Sequence, residues 1–320
     1  MIETIGKKNN RRKNIYLFFA LLISCLLISP DDILWAQDRY FYLVYAESSW
    51  TIMQGNIGRG VLSFISNEPL FLMINSALAL LFSPETVVKI IIFVASFLAL
   101  YSLGRLSKFN TLILFLFLLS PTILLKYIVH LRQGLAMSIY FMGLTGFLEK
   151  KGYKWIRFVT PLIHSSMAFV VLYEFSEAFF KKMKISSGLR LYFSSMALAG
   201  FMVLIPEIAT LFGDRRAGAY SMEFGLSGSG LGILVWFLAG SYFVMAKRRD
   251  YVGIICNYGI TFYCISYFYF SFSARVFESI FPLIALSAVT DRRDWFRLSY
   301  IAFLVLYALL GWYTRGGLVF

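Results

Sequence analysis

Six stretches of this sequence put charged or hydrogen-bonding groups where apolar residues are expected. Arg132 opens an uncharged run, His130-Leu131-Arg132-Gln133-Gly134-Leu135-Ala136, and Arg275 stands between two apolar runs. Arg215, Arg216 and Tyr220 belong to a glycine-containing segment, Gly213-Asp214-Arg215-Arg216-Ala217-Gly218-Ala219-Tyr220. The planar fork of arginine suits the oxygens of a phosphate or diphosphate, so several arginines converging on one cavity would take such a ligand. Glu68 precedes a proline, His164 follows Pro161 in an apolar setting, and Asp38 starts the aromatic run Asp38-Arg39-Tyr40-Phe41-Tyr42-Leu43-Val44-Tyr45. A carboxylate or imidazole in reach of a hydroxyl can act as a general base. Each group also has a plainer reading: an arginine snorkelling at a helix end, a satisfied core histidine, or the polar tip of an interfacial helix.

The elements that must position these groups follow from composition. With 59% hydrophobic, 18% aromatic and 15% charged residues, 320 residues cannot bury their apolar surface in a soluble core. The charges cluster between uncharged runs of the length that crosses hydrocarbon. An all-α, polytopic integral membrane protein of about nine to eleven transmembrane helices is therefore expected. Residues 1–320 read as one membrane domain, with 1–13 as a basic cytoplasmic N-terminus and 31–68 as an amphipathic segment on the outer face. The first apolar run lacks an A-x-A cleavage site and reads as an uncleaved anchor. The net charge of +13 comes from Lys and Arg at the ends of apolar runs, which points to a multi-pass membrane protein and away from nucleic acid. Cys25, Cys256 and Cys264 all fall inside apolar runs and are expected to serve packing. Two histidines far apart, with no metal-ligand spacing, imply no metal and no cofactor.

Two stretches do not fit simple crossings. Residues 158–180 lie between the basic clusters Lys150, Lys151, Lys154, Arg157 and Lys181, Lys182, Lys184, so one crossing would put one cluster outside. A re-entrant pair of half-helices broken near Pro161, His164, Ser165 and Ser166 removes the conflict. A second hairpin, over 57–83, is expected to enter from the outer face and break at Asn67-Glu68-Pro69.

Taken in order, Asp38 to Tyr45, Glu68-Pro69-Leu70-Phe71, Arg132-Gln133-Gly134-Leu135-Ala136, His164-Ser165-Ser166-Met167, Arg215 or Arg216 with Tyr220, and Arg275 resemble the motifs of the EpsG family, Wzy-like polymerases of bacterial surface polysaccharides. The likeness spans about 38–282. It implies a glycosyltransferase of the bacterial cytoplasmic (inner) membrane that joins undecaprenyl-diphosphate-linked oligosaccharide repeat units into O-antigen, capsule or exopolysaccharide at the outer face. Membrane lipids, a chain-length regulator and a flippase are the partners it implies. On this resemblance Arg132 and Arg275 hold the diphosphate, and Gln133 and Asp38 contribute to binding. Arg215 or Arg216 with Tyr220 positions the second lipid-linked unit, and Glu68 or His164 is the base. A related polysaccharide ligase, a transporter or flippase, and an acyltransferase resting on His164 are the competing readings. A transporter would show internal repeats, and none is visible.

Overall fold

The computed structural model describes residues 2–29, 38–211, 231–246, 250–268 and 273–314. These residues are helical throughout: α1 (Ile2–Ile28), α2 (Arg39–Gly58), α3 (Val61–Ser66), α4 (Pro69–Ala79), α5 (Pro84–Leu106), α6 (Leu112–Leu119), α7 (Pro121–Ile128), α8 (Leu131–Leu148), a 3₁₀ helix (Gly152–Leu162), α9 (Met167–Lys182), α10 (Ser187–Leu211), α11 (Leu231–Met245), α12 (Tyr251–Ser266), α13 (Ser273–Val289) and α14 (Asp294–Thr314). Among the described residues, Pro84–Leu106, Ser187–Leu204 and Asp294–Thr314 are continuous helices long and apolar enough to cross a membrane. Other apolar runs are shorter or broken in two, because proline removes a backbone donor and restricts the residue before it. At Pro121 the chain is extended at Ser120, and the Leu119 carbonyl freed by the break accepts a hydrogen bond from Trp312 Nε1 at 2.6 Å. In hydrocarbon an unsatisfied carbonyl is costly, so α14 stabilises the kink between α6 and α7.

The charge clusters sort the helix ends into two faces. Tyr16 of α1 donates to the Leu100 carbonyl at 2.9 Å and packs on Gly104, which brings the basic start of α1 to the end of α5. Arg105, in the last turn of α5, pairs with Glu149 just past α8. Arg190 of α10 reaches Glu177 of α9 at 3.0 Å, and Phe147 of α8 lies against Tyr251 at the start of α12. Arg293, between α13 and α14, donates to the Ala246 carbonyl after α11 at 2.7 Å. Arg105, Lys108, Lys150, Lys151, Lys154, Lys181, Lys182, Arg293 and Arg297 thus gather at one basic face. The start of α2, the α7–α8 turn, the start of α5 and the start of α13 lie at the opposite face.

Both expected chain reversals are present. The 3₁₀ helix runs antiparallel to α8: Tyr153 packs on Gly146, and a Cβ on Gly143 would come within 2.7 Å of the Arg157 backbone. It climbs from the basic face to a turn at Ile163–Ser166, and α9 returns the chain to that face at Lys181 and Lys182. Eleven residues of 3₁₀ helix are long for a geometry that normally persists for one turn. Arg157 anchors its base. Its Nε bonds Glu174 at 2.7 Å, its guanidinium lies over Phe147 and Phe158, and Tyr140 donates to the same carboxylate. Arg157, grouped in sequence with the basic cluster Lys150, Lys151 and Lys154, is therefore a buried tie between α8 and both limbs of the hairpin.

The other reversal differs from expectation in its limbs. The descending limb is α2, with α3 as a short link and α4 as the ascending limb; Tyr42 and Tyr45 of α2 pack on Phe71 of α4. The segment expected to be an outer amphipathic stretch therefore supplies a helix whose Tyr42, Tyr45, Ser49, Met53 and Asn56 are buried. Residues 30–37 lie outside the described residues. Of the three cysteines, Cys256 is buried as a packing residue and Cys264 partly so. Cys25 corrects the expectation, since it lies exposed on the flank of α1 among outward-facing Phe18, Leu22 and Leu26.

Candidate active site

The two chain breaks meet. Glu68 ends the link between α3 and α4 in a left-handed conformation (φ 57°, ψ 52°); Pro69 at the first position of α4 disfavours a right-handed helical residue before it but would by itself favour an extended one. The left-handed conformation costs a non-glycine residue about 1–3 kcal/mol and persists only where its surroundings hold it. Here they do, since Asn67 bonds the Ser63 carbonyl at 2.8 Å and closes α3, while the Glu68 carboxylate is held on both oxygens. Oε1 faces His164 Nδ1 at 2.8 Å and accepts the Ser165 N–H at 3.4 Å, both from the turn between the 3₁₀ helix and α9. Oε2 accepts a hydrogen bond from Arg132 Nη1. Glu68 is only 3% exposed.

Arg132 lies one residue into α8. Its guanidinium stacks over the Tyr45 ring, 5.1 Å from the centroid, and Nη1 also reaches Tyr45 Oη at 3.4 Å. Its side chain keeps 21% exposure, so the cation is held through Nη1 without being wholly closed off. Tyr45, Ile52, Asn56, Asn67, Glu68, Phe71, Leu72 and Arg132 line a narrow cleft beneath it. Next in sequence, Gln133 points to α13, where its amide donates to the Arg275 carbonyl and to Ser279 Oγ, both at 2.8 Å. Ser279 Oγ is 3.2 Å from Ser166 Oγ, so one polar seam ties α8, the hairpin apex and α13 together. Arg275 itself is exposed, on the first turn of α13.

α8 has no side-chain cap at its N-terminus, and Gly134 N–H is the first to bond within the turn, to the His130 carbonyl. The start of a helix carries a partial positive charge and N–H groups that favour an anion. Gly134 has a positional reason: a Cβ there would collide with the Lys126 carbonyl, so only glycine lets α7 and α8 approach closely enough to hold this turn. Above it, His130 Nδ1 lies 3.4 Å from Asp38 Oδ2, and Lys126 pairs with Glu278 of α13. Arg39, buried, donates from Nε to the Ile128 carbonyl at 2.8 Å and fixes the start of α2 against α7.

Of the residues singled out by sequence, Glu68, Arg132 and His164 are in direct contact, Gln133 and Arg275 are joined through the backbone, and Asp38 contacts His130 at the same end of the bundle. Arg215, Arg216 and Tyr220 lie outside the described residues. Sequence reasoning did not assign roles to Tyr45, Lys126, His130 and Glu278. Lys126 and Glu278 each interrupt or border an apolar run, which is the signal that could have found them.

No curated protein and no solved structure matches the chain. Residues 14–315, nearly the whole chain, match the EpsG family, a span that contains every residue of this site. With that match and its apolar helical bundle, the chain is a membrane protein that belongs to the EpsG family, a family associated with polysaccharide biosynthesis.

Proposed function

We propose that this protein is a polymerase that joins oligosaccharide repeat units carried on undecaprenyl diphosphate, working at the outer face of the bacterial cytoplasmic membrane. The observation that carries the reading is the Arg132–Glu68–His164 contact, made across 96 residues of sequence between two helix breaks at the uncapped start of α8. A diphosphate leaving group needs fixed cations where its charge develops. Arg132, tethered by Glu68 and Tyr45, supplies one with its fork already oriented, the α8 N-terminus supplies a dipole, and Arg275, whose backbone carbonyl is held by Gln133, supplies a second guanidinium. The positive-inside rule favours the basic face as cytoplasmic, which leaves this site towards the outer face, where the repeat units would be delivered.

On this reading Glu68 and His164 orient Arg132, because a carboxylate engaged on both oxygens and 3% exposed is ill placed to meet a sugar hydroxyl. Arg215 or Arg216 with Tyr220 remains our assignment for positioning the second lipid-linked unit, and a flippase and a chain-length regulator are the partners such a reaction calls for.

The test is a gel of surface polysaccharide from the source cell with this gene deleted, then restored as wild type, Arg132→Ala or Arg132→Lys. Single repeat units after deletion, a ladder with wild type and none with either variant support the polymerase, since lysine lacks the fork. Long chains that persist but are detached from their usual acceptor would favour a ligase; an unchanged glycan overturns the reading.

A further inference from the structure

The proposed reaction needs a group to take the proton of the acceptor hydroxyl, and the buried Glu68–His164 contact leaves that task open. The other histidine lies at the turn between α7 and α8. His130 occupies the residue before α8, two positions ahead of Arg132, and its side chain is 43% exposed. One ring nitrogen, Nδ1, faces Asp38 at the start of α2 at 3.4 Å, and Nε2 is the nitrogen turned away from that carboxylate. The charge of a carboxylate on that side favours the proton on Nδ1 and so the tautomer in which Nε2 carries the lone pair, the arrangement a histidine base requires.

We infer that His130 is the catalytic base that deprotonates the acceptor hydroxyl, with Asp38 as its positioning residue; this rests on the polymerase reading. In the step, the acceptor oxygen forms a bond to the anomeric carbon of the donor sugar as the bond from that carbon to the diphosphate oxygen breaks. The electron pair leaves on the diphosphate, facing Arg132 and Arg275, and the hydroxyl proton passes to His130 Nε2 and from there to solvent. His130 thus lies within reach of the charge of Arg275 and two residues ahead of Arg132 in the chain.

The charges around the ring set its protonation state and, by lowering its pKa, trade some basicity for a neutral ring. Asp38 of α2, Lys126 of α7, and Glu278 and Arg275 of α13 all act on it. Burial and Lys126 press its pKa below the ordinary value, with Arg275 acting the same way and Glu278 and Asp38 opposing. The imidazole is therefore neutral at neutral pH and ready to accept a proton. Chain growth by the wild type should hold as pH falls through about 6.5, the ordinary histidine value, and fail only below it.

The test uses membrane vesicles carrying the protein, supplied with lipid-diphosphate-linked repeat units extracted from the deletion strain, and follows the initial rate of chain growth against pH. His130→Ala should lose about 100-fold or more, the usual scale for a general base, and added imidazole should restore part of the rate because the His130 side chain is 43% exposed. Asp38→Asn should slow growth and move the acid limb to lower pH, since it removes a charge that raises the His130 pKa. A His130→Ala rate within about twofold of wild type, far short of the general-base scale, overturns this assignment alone. So does a loss without imidazole rescue accompanied by an unmoved acid limb in Asp38→Asn, which would mark a structural role. No chain growth by wild type overturns the polymerase reading, and this inference with it.

Discussion

Replacing either partner of the Glu68–Arg132 pair tests whether the contact holds the site together. Glu68→Leu leaves a guanidinium that cannot lose its proton, and Arg132→Met leaves a carboxylate that is 3% exposed. Removing one partner of a buried pair costs about 3–5 kcal/mol, but Arg132 is 21% exposed and water takes up part of the loss, so about 2–3 kcal/mol is expected for each single change. The double change removes both charges but still takes Glu68 from the His164 ring and the Ser165 N–H, so it should cost about 1–2 kcal/mol, well short of the two single changes together. At about 2.1 cal/mol/K per residue over 320 residues, each kcal/mol lowers Tm by about 1.5 °C. Thermal unfolding in detergent should therefore show each single variant down by about 4 °C and the double variant down by only about 2 °C, while all three fail to extend polysaccharide in cells. Single changes without loss of Tm, or a double change that sums the two, would refute the reasoning that this pair is a buried, mutually dependent unit.

Further outcomes follow from the packing and the chain reversals. Gly134→Ala drives a methyl group into the Lys126 carbonyl, a backbone atom that cannot swing aside, and should destabilise by about 1–3 kcal/mol with loss of chain extension; unchanged melting would show that α7 and α8 can part freely. In a chain freed of Cys25, Cys256 and Cys264, Lys151→Cys and Lys184→Cys should be labelled by a membrane-impermeant maleimide only after the cells are opened, whereas Ser83→Cys should react in intact cells. Labelling of Lys151→Cys and Lys184→Cys from opposite sides would mean that 152–182 crosses once and is not a hairpin.

Much of the architecture was legible because hydrocarbon imposes strict rules on apolar length and on charge. Pro161 between two basic clusters predicted a reversal, and the Asn67-Glu68-Pro69 break predicted another, since proline forbids a continuous helix and lysine clusters do not sit outside. The limbs of the second reversal were harder to read. The tyrosines and serine of α2 look like a polar, interfacial face, yet Tyr42, Tyr45 and Ser49 are buried against α4 and its surroundings. Arg157 had the same ambiguity, and only the position of Glu174 across the hairpin decides that it is an internal tie. The site was legible as a set of unusual residues. What sequence could not supply was which of them touch: the Glu68–His164 contact joins two breaks that no local pattern relates. His130 carries no local signal of its own beside Arg132, and its partner Asp38 lies far away in sequence, at the start of α2.

The most direct test of the central claim is the purified protein in liposomes, given undecaprenyl-diphosphate-linked repeat units as the only substrate. The expected result is a ladder of lipid-linked chains growing one repeat at a time, with release of undecaprenyl diphosphate for each unit added, and no growth with Arg132→Lys. Intact, unpolymerised units after incubation with folded wild-type protein, or growth undiminished in Arg132→Lys, would contradict it.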